Sequence, residues 1–401
     1  MSSQQTPVSN DKQITGRITS IDLVRGLVIV IMALDHTRDL IHANALGVDP
    51  LDLKVTTPAL YLTRWITHLC APVFVFLAGT SVYLNLLQQG DIAKTIRFVR
   101  IRGVLLILME LTIINFGFWS DLYFRTFLVQ VIFAIGAGFF ILSFLLRLKA
   151  RTLGIIGLLI IFLHDLVTGL PIEGNTFLKF IYSIFLDSGF FKLAEDRAFI
   201  VGYSIIPWLG IMLFGFSFGK SFLLEDKQRK KTFLYYGFGA LFLFVALRFL
   251  NGYGDISPWS MQSSRLYTFL SFMDVSKYPP SLMYTAITLA IMFFVLRLAD
   301  QRGGALVKFF LTYGKVPMFF YILHWYVIHI GMYVMLWLQG FTWNDLNFGI
   351  MGCGRPETGG GLDLPFVYVY WISVILVMFP LCRWYGKYKS AHKDVLWLKY
   401  I

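Results

Sequence analysis

The chain is predicted to be an all-α, polytopic membrane protein, and three observations carry that reading. Hydrophobic residues make up 57% of the 401 positions and charged ones only 14%. Mean hydropathy is +0.67. The sequence resolves into apolar runs near the roughly twenty residues that a helix needs to cross a bilayer core of about 30 Å. Stretches such as 28–34, 72–87 and 154–163 are apolar on all faces, where a helix on a soluble core would show a polar stripe.

Taken in order, the runs place spans at 19–41, 66–88, 101–118, 126–146, 153–170, 200–219, 232–250, 281–297, 309–337 and 366–382, about ten helices. Residues before the first span are polar, with no short apolar stretch leading to a small-residue cleavage site, so the first helix is expected to insert and stay. Pro72, Pro207 and Pro317 lie within or at the edges of spans, where they favour local kinks. Gly215 and Gly219 form a small-xxx-small step that reads as close helix packing. The chain divides into a cytoplasmic N-terminal tail (1–18), a helical transmembrane domain (19–386) and a basic cytoplasmic C-terminal tail (387–401). No internal repeat is visible.

The formal charge of +12 is topological in character rather than a nucleic-acid signature. About 22 Lys and Arg fall in connections on the N-terminal side and about 10 on the other, with Arg25, Arg248 and Lys315 inside spans. By the positive-inside rule both termini are cytoplasmic. The longer connections, 42–65, 171–199, 251–280 and 340–365, are then extracytoplasmic, and the last is rich in glycine.

Within this frame the first span ends in an ionisable cluster, Asp35-His36-Thr37-Arg38-Asp39 followed by His42. Charges at that depth cost a few kcal/mol each and mark a wet cavity or reaction site. Six of the seven histidines fall in the outer half: His36, His42, His68, His164, His324 and His329. Asp35, Arg38, Asp39 and His42 form one helical stripe, His36 points about a quarter turn away, and Arg64 shares a face with His68. A carboxylate beside an imidazole orients its tautomer and raises its basicity, as a general base requires. The structural alternative is an interhelical ion-pair network closing that end of the bundle.

No HExxH or paired-cysteine spacing supports a metal site, and none is expected. Cys70, Cys353 and Cys382 offer no disulfide framework. Glu110, in the third span, reads as a pathway or packing-network residue.

A family resemblance now rests on particular residues. Arg17-x-x-Ser20-Ile21-Asp22-x-x-Arg25-Gly26 followed by Asp35-His36 resembles the opening of the heparan-alpha-glucosaminide N-acetyltransferase family, and is similar to the wider group of transmembrane acyltransferases. Trp65-x-Thr67-His68 running to Gly79, Lys277-Tyr278-Pro279-Pro280-Ser281-Leu282, and Gly314-Lys315-Val316-Pro317 leading to His324 extend the likeness along most of the chain. The resemblance implies transfer of an acyl group, typically acetyl from cytoplasmic acetyl-CoA, to an acceptor on the far side, with a histidine near the outer end of the first helix at the reaction centre. His36 is the first choice and His42 the alternative.

Asp35 and Asp39 are the expected orienters, with His68 and His324 facing the same cavity. Arg25, Arg97, Arg100 and Lys315, together with Arg102, are the candidate partners for the donor's phosphates. The expected protein is an acyl-CoA-dependent O- or N-acetyltransferase of the cell inner membrane, acting on a sugar or envelope glycan and most simply a dimer. The alternative is a proton-coupled secondary transporter in which the outer Asp and His residues relay protons.

Overall fold

The computed structural model describes residues 18–45, 49–172, 176–300 and 303–400. The N-terminal tail up to Arg17, and Glu173 among the acidic loop residues, lie outside them. Fifteen helices and three short strands occur among the described residues: α1 (Thr19–Ile41), α2 (Pro58–Ile66), α3 (Cys70–Gln89), α4 (Ile92–Met109), α5 (Asn115–Trp119), β1 (Thr126–Val129), α6 (Val131–Leu145), α7 (Ala150–Leu163), α8 (Thr176–Phe185), β2 (Gly189–Ala194), β3 (Arg197–Val201), α9 (Ile205–Phe218), α10 (Asp226–Leu250), α11 (Arg265–Met273), α12 (Leu282–Ala299), α13 (Ala305–Gly314), α14 (Pro317–Leu338) and α15 (Leu364–Ala391).

Among the described residues, seven helical stretches are long and apolar enough to cross a membrane: α2 with α3, α4 with α5, and α9, α10, α12, α14 and α15. The other three expected spans are helical too, but α1 carries Asp22, Arg25, Asp35, Arg38 and Asp39, while α6 and α7 have only 15 and 14 residues. The protein is a multi-pass, mostly helical membrane protein.

Local chemistry explains the helix starts. Thr57 accepts from the Leu60 amide with Pro58 in the first turn of α2, Asp91 accepts from Ala93 and Lys94 at α4, and Ser281 accepts from Tyr284 at α12. Each such cap satisfies amides that a helix start leaves unpaired.

Two expectations need correction. The span placed at 309–337 is two helices, α13 and α14, separated at Lys315-Val316-Pro317. Val316 leaves the helical region, with φ −134° and ψ 50°, because the ring of a following proline disfavours it there. Lys315 therefore lies at an exposed break and not inside a span. The fold is also not purely helical: β1, β3 and β2 form a small sheet in that order, β1 parallel and β2 antiparallel to β3. The spans placed at 126–146 and 200–219 begin inside β1 and β3, since a short apolar run has no periodicity that separates strand from helix.

Helix α1 is central, packing against α13, α14, α15, α3 and α12. Its approach to α13 is set by glycine: a Cβ on Gly26 would overlap the Phe310 carbonyl, and one on Gly314 the Asp22 carbonyl. Helix α3 meets α9 in the same way, with Gly215 against the Phe76 carbonyl and Gly219 against the ring of Tyr83. Beyond α15 the chain returns so that Tyr400 stacks on Phe98, ring centroids 5.2 Å apart.

Candidate active site

Near its C-terminal end α1 presents different residues to different neighbours. Asp35 sits between two guanidinium groups: Arg38 donates to its Oδ1 at 2.9 Å, and Arg64 of α2 donates to Oδ2. Arg38 also donates to Asp39 Oδ1 at 2.5 Å. Both carboxylates are thus engaged by arginine, and neither makes a hydrogen bond to His36 among the described residues. This clamp ties α1 to α2 in a buried setting.

His36 turns the other way, toward α14. Its Nδ1 lies 2.7 Å from His324 Nε2, and His324 Nδ1 lies 3.1 Å from the Phe320 carbonyl oxygen. That carbonyl can only accept, so His324 Nδ1 carries a proton and donates to it. In a neutral His324, Nε2 is then the acceptor and His36 Nδ1 the donor. The lone pair of neutral His36 consequently resides on Nε2, which makes no hydrogen bond among the described residues. Trp325 stacks on the His36 ring at 4.0 Å and Tyr321 meets it edge-on at 6.2 Å. The Tyr321 hydroxyl and the Trp325 indole nitrogen are buried, with no hydrogen-bond partner outside this pair among the described residues.

His42 stands apart from this pair. It ends α1, and its carbonyl accepts from Arg355 at 2.8 Å. His68 is buried beside Tyr284, ring centroids 5.4 Å apart, and both its ring nitrogens lack a partner among the described residues. His164 lies 3.2 Å from Asp165 and is not part of the cluster.

Two adjoining cavities run from Tyr321, whose ring meets His36 edge-on, toward the start of α1. One, of about 160 Å³, is walled by Ile29, Ala78, Leu106, Ile135, Met318 and Tyr321, among others. The second, of about 230 Å³, reaches Asp22, Asn85, Gln88 and Phe98. Arg25, Ser81, Arg102 and Phe139 line both. Arg25 donates to the Leu77 carbonyl at 2.9 Å and to the Ser81 hydroxyl, and lies 3.8 Å from Asp22. The Arg102 guanidinium sits over the Phe139 ring at 5.7 Å, with its Nε unpartnered among the described residues.

Of the cations expected at a donor site, Arg25 lines these cavities. Arg97 and Lys315 are exposed elsewhere, and Arg100 is turned onto Ser143 and the Phe144 ring. The spacing of Tyr321 and Trp325, one turn apart on α14, places both beside His36; neither residue was singled out by sequence. Arg102, also expected among the donor's cationic partners, lines the same two cavities. Glu110 accepts from the Gln130 amide at 3.1 Å, where α6 begins.

Residues 17–247 match the family described as heparan-alpha-glucosaminide N-acetyltransferase, catalytic. No curated protein matches the chain. The match covers more than half of the sequence, and the chain belongs to that family of membrane acetyltransferases.

Proposed function

We propose, with family membership as the premise, that the chain moves an acyl group, most simply acetyl, from cytoplasmic acyl-CoA to a hydroxyl or amine of an extracytoplasmic sugar or envelope glycan. The observation that carries this reading is the His36–His324 pair at 2.7 Å, beside Tyr321, whose ring walls the cavity that leads toward the start of α1. In this reading His36 Nε2 takes the proton from the acceptor as it attacks the acyl carbon, the thioester C–S bond breaks, and the departing CoA thiolate takes up a proton. His324 holds the reactive tautomer. Trp325 fixes the ring plane, and the Tyr321 hydroxyl stands where a hydrogen bond to a developing oxyanion is available.

Arg25 and Arg102 are the residues assigned to the donor, because they flank the shared wall of the cavities and guanidinium groups match phosphate and carbonyl oxygens. Arg97, Arg100 and Lys315 contribute positive potential at that end. Asp35, with Asp39, acts through the arginine clamp, which holds the last turns of α1 in register for His36. His68 and His42 are assigned no proton-transfer step. Ten spans, cytoplasmic termini and an inner-membrane location complete the proposal, and the excess of Lys and Arg on the N-terminal side supports the orientation.

The test is transfer of labelled acetyl from acetyl-CoA to envelope material by membranes carrying the full chain. His36→Ala should lower transfer by about 10²–10⁴-fold, while His42→Ala should retain it. Covalent transfer undiminished by loss of His36 overturns the assignment. A proton-coupled transporter predicts no covalent transfer, and family membership lends that alternative no support.

A further inference from the structure

On the side of the molecule where α1 ends lies a basin of about 1210 Å³ that the acyl-transfer chemistry does not by itself explain. It is larger than the 300–1,000 Å³ typical of small-molecule pockets. Its walls combine two kinds of side chain. Phe116, Tyr123, Trp343 and Phe348 present aromatic surface, and Tyr123 and Trp343 are 70% and 61% exposed. Asp121, Glu195, Asp196, Asp345 and Glu357 present carboxylates, interspersed with the amides of Asn344 and Asn347.

The charge balance is one-sided. Among the described lining residues Arg125 is the one cation, and it is taken up by Asp121 at 3.2 Å. Glu195, Asp196, Asp345 and Glu357 face no lining cation. Arg355, nearby, points its guanidinium into the backbone carbonyls of His42, Ala43 and Gly360.

The basin is separated from His36 by a layer of aromatic side chains. Its lining residue Ser120 accepts from the Tyr333 hydroxyl at 2.8 Å, and Tyr333 packs against both Trp343 and His329. Beside Ser120, Trp119 and Phe118 pack together, and Phe118 meets Trp325, the residue stacked on His36. In the layer between basin and imidazole, Trp119 Nε1 and His329 Nε2 are buried without partners among the described residues.

We infer that this basin is an acceptor subsite for a saccharide chain free of acidic groups, and that it turns away polyanionic glycans. The exposed Trp343 indole gives an apolar platform for the C–H face of a pyranose ring, while the Tyr123 ring carries the Arg125 guanidinium at 4.7 Å. Asp345 is held by the Thr342 amide and hydroxyl and Glu357 by the Asn347 amide, which leaves Glu195, Asp196 and the Asn344 amide to accept and donate the hydrogen bonds that sugar hydroxyls or an amine require. The same carboxylates repel a uronate or sulfate on the acceptor, since like charge at an interface acts against the wrong partner. The role as acceptor subsite rests on the acetyl-transfer reading; the saccharide chemistry rests on the basin alone.

The experiment is equilibrium calorimetry on the detergent-solubilised full chain with maltohexaose, a glucosamine tetramer and a hyaluronan hexasaccharide, at two ionic strengths. Maltohexaose and the glucosamine tetramer are expected to bind and hyaluronan to fail. Trp343→Ala should weaken binding at least tenfold and Trp343→Phe much less, with thermal melting confirming that both variants fold. The double variant Glu195→Lys, Asp196→Lys, at an exposed turn, should admit hyaluronan. Hyaluronan binding the parent chain as tightly as maltohexaose, or Trp343→Ala leaving affinity unchanged, overturns the inference. Acetyl transfer retained with no saccharide bound in the basin refutes this inference alone, whereas saccharide binding without transfer refutes the enzymatic reading.

Discussion

His36 on α1 and His324 on α14 are joined ring to ring by a 2.7 Å hydrogen bond, and the Phe320 carbonyl behind His324 decides which way its proton points. A side chain 288 positions away in sequence thereby selects which His36 nitrogen keeps its lone pair. For removal of a positioned base, rates typically fall about 10²–10⁴-fold, and His36→Ala is expected within that range. His324→Phe should cost on the order of 10²-fold, because the base survives without its orientation. His324→Gln keeps an acceptor for the His36 Nδ1 proton and should recover much of the loss. Rates and pH profiles of acetyl transfer for the three variants check this; equal loss in the Phe and Gln variants would refute a positioning role.

The Asp35 clamp makes a prediction about stability. Removing one partner of a buried ion pair leaves the other charge uncompensated and typically costs about 3–5 kcal/mol. Asp35→Ala removes the carboxylate from Arg64 and leaves Arg38 with Asp39 alone, so its melting temperature in detergent should fall well below that of the parent. Adding Arg64→Met to Asp35→Ala should restore part of it. Full stability in the single variant would show that the clamp contributes nothing.

Packing between α1 and α13 should be intolerant of a single methyl group. The colliding atoms are backbone carbonyl oxygens of Phe310 and Asp22, which cannot rotate aside. Gly26→Ala and Gly314→Ala are each expected to destabilise by about 1–3 kcal/mol or more, the range for overpacked interiors. Gly239→Ala, where a Cβ meets nothing within 4 Å, serves as the control and should be neutral.

At the shared wall of the two cavities, Arg102→Ala should act on the donor. A hydrogen bond to a charged group contributes about 1.5–3 kcal/mol, so KM for acetyl-CoA is expected to rise roughly ten- to a hundredfold with kcat little changed. Arg100→Ala, whose guanidinium faces Ser143 and Phe144, should leave KM alone. A fall in kcat at constant KM for Arg102→Ala would exclude a donor-binding role.

The connection between α10 and α12 should loosen as pH rises. Arg248 gathers it by donating to the carbonyls of Phe272, Ser257, Ser271 and Asp274. Burial, with the Asp255 carboxylate adding to it, pushes the Asp274 carboxyl up from 3.8 to about 6. A raised carboxyl favours folding in its neutral form, so this contribution is complete below about pH 4 and is lost as pH climbs through 6. For a half-buried group it amounts to about 2 kcal/mol at most. Amide exchange in residues 251–280 should be faster at pH 7.5 than at pH 5 after correction for intrinsic rates, and Asp274→Asn should flatten the difference.

Composition and run length alone indicated the class of this protein and most of its helices, because a bilayer core imposes one length and one polarity on anything that crosses it. The same logic marked the 35–42 stretch, since several ionisable groups at one depth are conspicuous in an apolar helix. Helical spacing also set His36 off from the Asp35, Arg38, Asp39 and His42 stripe, and the structure has them facing different neighbours. Pro317 was visible as a kink; that α13 and α14 are separate helices depended on what Val316 does in context. The sheet of β1, β3 and β2 was not legible, because its pairing joins residues about seventy positions apart and short apolar strands lack a distinguishing period. What tertiary structure alone decided was partnership: that His36 meets His324 and not a carboxylate, that Asp35 is held by Arg64, and that Arg102 joins Arg25 at a cavity wall. Spacing along one helix gives the direction of each side chain, but it cannot say which other helix arrives there. That depends on close approaches such as Gly26 on α13, which exist only once the bundle is packed.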